Sequence, residues 1–569
     1  MIRSRWLVLV GGVGVGGLIA GHGGAVAGGL FLPGNGAVST SRAGASVAAV
    51  DDGEAIAVNP AGIAKASGTT ITVSAAMLSY AMEFQRRGTY DPAPGESYPY
   101  AGQPFALVKN DVRPPLGIGS LQPVPVIAVT TDLGGLVPGL RLAAGIYPPN
   151  AYPFRDMCTQ LGGRCDKYVF NADFAVPPPS TRYDIMYQEA AVFLPSLVAA
   201  YRILPTLDVG VRLSAAHANL KSTTALWGLP GNYSENPKVD SVFTVDATDS
   251  FVPAFGLGAT FRPTPALELG VSYSSELAIH ARGTAVAENG PSVALLGIAP
   301  QIVPVPDDQA RCARGGTQMS LASCVDLALP MTAQLGARYR FLDGTGGERG
   351  DVELDLDWEN WGKTCDDRAF NDGSCASPSD YRVIVDAQAE IAGNSALALP
   401  LKTAVVRHGL RDTIGVRLGG SYRLPVGAPR DEPGGDHGRD QVIFRGGLAY
   451  DTGAARTGWL RADLDGAART TLALGAAYRT RRFEVTLGAG AVLEGSPSNP
   501  NVGGGAAPCN PTTVGQGCSG TGDAPVGARQ GPDPINPVAD PDAQLENPIA
   551  QGDYKAHYFL LMLGGTARF

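Results

Sequence analysis

Apolar and polar residues alternate along residues 351–361. Val352, Leu354, Leu356 and Trp358 fall on one parity, and Asp351, Glu353, Asp355, Asp357 and Glu359 on the other. Successive side chains of a strand point to opposite faces, so this stretch has an apolar face and a face of carboxylates. A soluble sandwich would bury the apolar face and leave the acids in solvent. A membrane barrel would set it in lipid and turn the acids into a wet lumen. The same rhythm recurs in pairs of stretches: 69–84 with 116–131, 139–147 with 189–203, 207–219 with 251–262, and 266–278 with 327–341. It continues with 351–361 and 412–424, 442–450 and 469–479, and 483–493 and 554–569. Long connections mostly follow the first member of a pair and short ones the second, as in outer-membrane barrels with short periplasmic turns and long outer loops. The pattern predicts an all-β fold, a 14-stranded antiparallel transmembrane β-barrel.

Six of these stretches end alike, on Tyr201, Phe261, Tyr339, Tyr422, Tyr478 and the terminal Phe569, with Arg202, Arg262, Arg340, Arg423, Arg479 and Arg568 beside them. A recurrent aromatic at one strand end suits an interfacial girdle, where the ring sits at headgroup level and its polar neighbour in water. Phe569, with Leu561, Leu563 and Ala567 on its parity, resembles the terminal signal that barrel-assembly machinery reads.

Composition narrows the choice. A net charge of −9 argues against a nucleic-acid partner, and hydropathy near zero is what half-polar barrel strands average to. Arg3 and Arg5, the apolar run 6–20 and the small residues 25–27 predict a signal peptide over 1–27. No other run approaches the roughly 20 apolar residues of a membrane helix, so a membrane would be crossed by strands. The eight cysteines form close pairs in the long connections: Cys158 with Cys165, Cys312 with Cys324, Cys365 with Cys375 and Cys509 with Cys518. After a signal peptide these read as disulfides, and none has the spacing of a metal site. The segment 499–552, rich in Gly, Pro, Asn and Asp, reads as a surface loop.

Three features carry candidate chemistry. The acids Asp351, Glu353, Asp355 and Asp357 find cations of matching parity in Arg338, Arg340, Arg417 and Arg423 on the flanking strands, which predicts a lumen charge ladder. An unpaired arginine among them would orient a substrate carboxylate. The connection 288–325 holds Leu295, Leu296, Ile298, Ile302 and Val303, enough apolar surface for a capture loop or for a loop packed on the barrel mouth. Catalytic motifs such as G-x-S-x-G, H-E-x-x-H and the P-loop are missing, so no enzyme, cofactor or metal is expected.

Between signal and first strand lie Gly29-Leu-Phe31, Ser41-Arg-Ala-Gly44 and the run 51–64, which contains Asp51-Asp52 and Asn59-Pro60-Ala61-Gly62. Together with Asp357-Trp358-Glu-Asn-Trp361 and the ending 552–569, this resembles the FadL/TodX family of outer-membrane transporters for long-chain fatty acids and aromatic hydrocarbons. The resemblance implies a hatch over residues 28–67 inside a barrel over 68–569, with Asn59, Pro60, Ala61 and Gly62 as the hatch motif. It implies passive transport of hydrophobic small molecules, caught on outer loops and passed through a lumen that the hatch gates, by a monomer in outer-membrane lipid. A structural or adhesive barrel and a general porin are the competing readings. A side-chain-filled lumen would favour the former, and an open lumen with the N-terminal segment outside it the latter.

Overall fold

A computed structural model describes residues 29–90, 98–110, 114, 117–158, 176–226, 237–238, 240–290, 301–344, 346–365, 375–391, 394–401, 403–427, 439–456, 459–464, 466–498 and 552–569. The expected signal peptide and nearly all of the loop 499–552 lie outside them. Fourteen antiparallel strands form a closed wall. They are β1 (Thr69–Arg86), β2 (Gln122–Thr131), β3 (Leu140–Tyr147), β4 (Tyr187–Leu204), β5 (Leu207–Leu226) and β6 (Ser241–Phe261). β7 runs in two stretches, Leu267–Ser274 and Leu277–Asn289, and β8 likewise, Leu321–Leu329 and Thr332–Leu342. β9 (Glu348–Glu359), β10 (Thr413–Val426), β11 (Asp440–Asp451), β12 (Arg469–Arg479), β13 (Phe483–Leu493) and β14 (Gly552–Arg568) complete the circuit. Each pairs with its neighbour in sequence, and β14 returns to β1 from Thr70↔Arg568 to Arg86↔Gly552, which closes the circuit.

Alternation decides which face each side chain takes. On β9, Leu354 and Leu356 are 49% and 47% exposed, whereas Glu353 and Asp355 are 0% and 1% exposed. The apolar residues thus face outward and the acids inward, the reverse of a soluble sandwich. Tyr201, Phe261, Tyr339, Tyr422, Tyr478 and Phe569 are all exposed on the outer face, as a girdle requires.

Three features differ from the pattern reading. The second strand begins at Gln122, later than its pattern predicts, because a tight turn through Gly119, closed by Ile118 and Leu121, precedes it. β5 and β6 pair well beyond the apolar band, to Leu226↔Ser241, since alternation of polar residues sustains a ladder without lipid to face. Cys324 lies within β8 and not in a loop. Its partner is Cys312, and Cys365 bonds to Cys375. Cys158 is disulfide-bonded, while Cys165, Cys509 and Cys518 lie outside the described residues.

The N-terminal segment occupies the lumen. It carries helix α1 (Gly36–Ser41), helix α2 (Ala55–Val58) and a 3-10 turn (Pro60–Lys65), and most of its residues are buried. Elements this short have little intrinsic stability and depend on packing. Glu54 ties the segment to itself and to the wall. Its carboxylate accepts Val38 N at 2.9 Å and Ser39 N at 2.8 Å at the start of α1, and Ser74 Oγ of β1 at 2.6 Å.

Candidate functional site

The acid face of β9 holds the N-terminal segment more than it holds the wall. Arg42 forms a fork with Asp351 at 3.2 and 2.8 Å and reaches Glu353 Oε2 at 3.1 Å. Asp355 Oδ2 accepts the backbone N–H groups of Ser46 and Val47 at 2.8 and 3.0 Å, and Glu353 Oε1 accepts Ala48 N at 2.6 Å. Of the four wall arginines, Arg338 meets Asp351 at 2.9 Å and Arg417 meets Asp357. Arg340 and Arg423 pair instead with Glu348, at 2.8 and 2.9 Å. Cross-strand spacing therefore found two of the ion pairs. Alternation carried no signal for Arg42 or the backbone donors, which come from a segment about 300 residues earlier.

Asn59 organises the other end of the segment. Its Oδ1 accepts Ala61 N at 3.1 Å and caps the 3-10 turn; its Nδ2 donates to Val47 O at 2.7 Å and to Ala259 O of β6 at 3.4 Å. Pro60 starts the turn where no N–H is needed. Ala61 and Gly62 are buried, and a Cβ on Gly62 would lie 2.7 Å from Val50. Wall glycines make room: a Cβ on Gly258 would stand 2.0 Å from Asn59 Oδ1, and one on Gly210 2.4 Å from the Pro60 carbonyl carbon.

Above this segment lies a cavity of about 480 Å³, within the range of small-molecule sites. Its lining is mostly apolar, with Val192, Phe243, Val245, Leu327 and Val383 among it, and Leu30 forms part of its boundary. One side is polar. Arg461 pairs with Asp184 at 2.5 Å and with Asp463 at 3.2 Å, and His408 meets Asp463 at 2.8 Å. Burial pushes the Asp184 carboxyl up to about 6. Burial acts on Asp463 in the same sense, yet Arg461 and His408 together hold it well below the usual range.

The wall is incomplete beside the cavity. The β2–β3 ladder stops at Ile127↔Ile146, although β2 continues to Gln122, and the β3–β4 ladder stops at Tyr147↔Leu194. Pro148 and Pro149 end β3 there, because proline cannot donate to a ladder. The chain then turns to the N-terminal segment: Asn150 Nδ2 donates to Leu32 O at 3.2 Å and Pro33 O at 3.3 Å, and Leu32 N to Asn150 O at 2.7 Å. Gln122–Val124 of β2 and 189–193 of β4, on the two flanks of the break, both line the cavity.

Of the expected capture loop, Ile302 and Val303 lie in a short strand, Gln301–Pro304, paired with Ala387–Ile391, and Ile302 packs on the cluster around the cavity. Leu295, Leu296 and Ile298 lie outside the described residues. The cavity also uses Tyr381, Val385, Leu401 and Val406 from the connection between β9 and β10, which the strand count passed over. The alternation in Tyr381-Arg-Val-Ile-Val385 was a usable signal.

The sequence profile of a family described as "Outer membrane protein transport protein (OMPP1/FadL/TodX)" matches residues 180–492, more than half of the chain. The chain belongs to this family. No curated protein sequence matches it. Among solved structures, a Pseudomonas aeruginosa FadL homologue is similar at 13% identity and TM-score 0.60, over 95% of this chain and 100% of that one. The P. putida toluene transporter TodX is similar at 12% identity and TM-score 0.54, over 95% and 99%. The Ralstonia pickettii toluene transporter TbuX is similar at 13% identity and TM-score 0.52, over 95% and 99%. At such identity these likenesses show the fold. This FadL/TodX member is an outer-membrane β-barrel of a transport family.

Proposed function

We propose that the protein carries hydrophobic small molecules passively across the outer membrane, with residues 28–67 as hatch and the Asn59–Gly62 motif as its seat. The observation that carries the reading is the apolar cavity, bounded by Leu30 of the N-terminal segment and lined by residues from both flanks of the break beside β3. An apolar molecule gains by leaving water for such a lining, at roughly 25 cal/mol per Å² buried. Ile302 and Val303 belong to the capture surface at the outer side. From the cavity the molecule leaves sideways into lipid when the stitch between Asn150 and residues 32–34 opens, so no water-filled path is needed. Toluene transporters and a FadL homologue share the fold, which favours apolar cargo over the ions of a general porin.

The test is uptake of a labelled alkane or aromatic by cells carrying the wild-type protein or a deletion of residues 55–64. Uptake falls at least tenfold in the deletion while heat-modifiable migration on gels stays that of a folded barrel. Unchanged, selective uptake in a folded deletion variant would remove the hatch from the mechanism.

A further inference from the structure

The periplasmic end of the lumen holds a second cavity, of about 1050 Å³, on the opposite side of the hatch from the apolar one. Six arginines line it: Arg423, Arg439, Arg479, Arg481, Arg482 and Arg568. Strand parity turns Arg423, Arg479 and Arg568 inward, alongside the buried Arg445 and Glu484, so the charge faces the lumen and not the bilayer. The acids nearby are fewer. Glu484 takes Arg479 at 2.6 Å and Arg568 at 3.1 Å, and Glu348 takes Arg423 at 2.9 Å. The hatch carboxylate Asp51 interacts with Arg479 and Arg423, and the Phe569 terminus lies on the rim.

Donors remain over. Arg423 Nε and Arg568 Nη1 are buried without a hydrogen-bond partner among the described residues, as is Gln441 Oε1 on the same wall. The side chains of Arg439 and Arg482 are exposed and have no hydrogen bond or ion pair among the described residues. Like charges so gathered repel one another, and buried donors without partners are costly, so the arrangement is stabilised when an anion arrives. A guanidinium presents a planar fork that matches a carboxylate. Phe483 and Phe569, exposed on the outer parity of their strands, also border the opening, so apolar surface lies at its edge.

From this we infer that the periplasmic vestibule is an anion-binding site that receives the carboxylate head of an amphiphilic acid, separate from the apolar cavity above the hatch. The site stands on its own residues. Only the source of the acid, cargo that reaches the periplasmic face after leaving sideways through the wall, rests on the transport reading above. A membrane phospholipid is disfavoured as occupant because the inward arginines face the lumen.

The experiment is titration calorimetry of octanoate and octanol into the full-length protein in a non-ionic detergent, in a Val245→Trp background that fills the apolar cavity. Octanoate binds saturably and octanol does not, and the octanoate affinity falls as salt rises. Arg439→Gln with Arg482→Gln weakens octanoate at least tenfold; Arg423→Gln serves as a second variant should that pair fail to fold. Octanoate binding unchanged in both arginine variants, or matched by octanol, overturns the site. Binding seen only with phosphatidylglycerol nanodiscs, and not with octanoate, overturns the choice of a free acid. Toluene binding that survives Val245→Trp would sink the transport reading instead and leave the vestibule untouched.

Discussion

Arg42 is enclosed with two carboxylates, and its fork to Asp351 and contact with Glu353 satisfy charges that the lumen leaves with little water. Removing one partner of such a cluster costs more than the cluster contributes, because the remaining charges stay buried. Arg42→Met should therefore destabilise the seated N-terminal segment by about 3 kcal/mol. Faster hydrogen exchange over residues 29–67, with unchanged protection of the wall strands, is the expected readout. Asp351 keeps Arg338 at 2.9 Å, so Glu353 is the acid left without a cation, and adding Glu353→Gln should recover part of that loss. The five-acid face was legible from alternation alone; that Arg42 would sit on it was not, because no local period links residues so far apart in sequence. Arg340 and Arg423 show the same limit: parity placed them on the inner face, and the position of Glu348 one turn away took them from the acids predicted for them.

Between elements, the decisive contact is backbone against backbone. The 3-10 turn Pro60–Lys65 rests on β5 and β6 where Gly210 and Gly258 leave no side chain. Gly258→Val would drive a side chain through the Asn59 carboxamide, and neither the wall nor the turn has room to yield. The variant should assemble as a barrel yet expose the N-terminal segment, read as rapid proteolytic clipping within residues 29–67 that the wild type resists. Clipping no faster than wild type would mean that the segment seats without this contact. The strands themselves were largely legible, since lipid outside and a polar interior enforce a strict period of two. The outer ends of β5 and β6 were not, because they run on past the apolar band; β3 ends at Tyr147 as its pattern predicts, but what the prolines after it do to the wall depends on β2 and β4 beside them.

At the scale of the molecule, wall and loops are held by different means. The wall closes through strand ladders that are interrupted beside β3, whereas the connections over the apolar cavity are stapled by Cys312–Cys324 and Cys365–Cys375. Each staple contributes roughly 2–3 kcal/mol against loop disorder. Reduction in detergent should weaken toluene binding several-fold while leaving strand amides protected; equal loss of both would show that the loops and wall unfold together. A closed barrel follows from the sequence by itself, because alternation is local and a bilayer reads it strand by strand; a leading segment inside it was implied only by the family resemblance. The cavity, the break beside β3, the latch on β9 and the arginine vestibule were decided only in three dimensions. Each gathers residues from several distant stretches, and closing the wall, not any spacing along the chain, sets which of them meet.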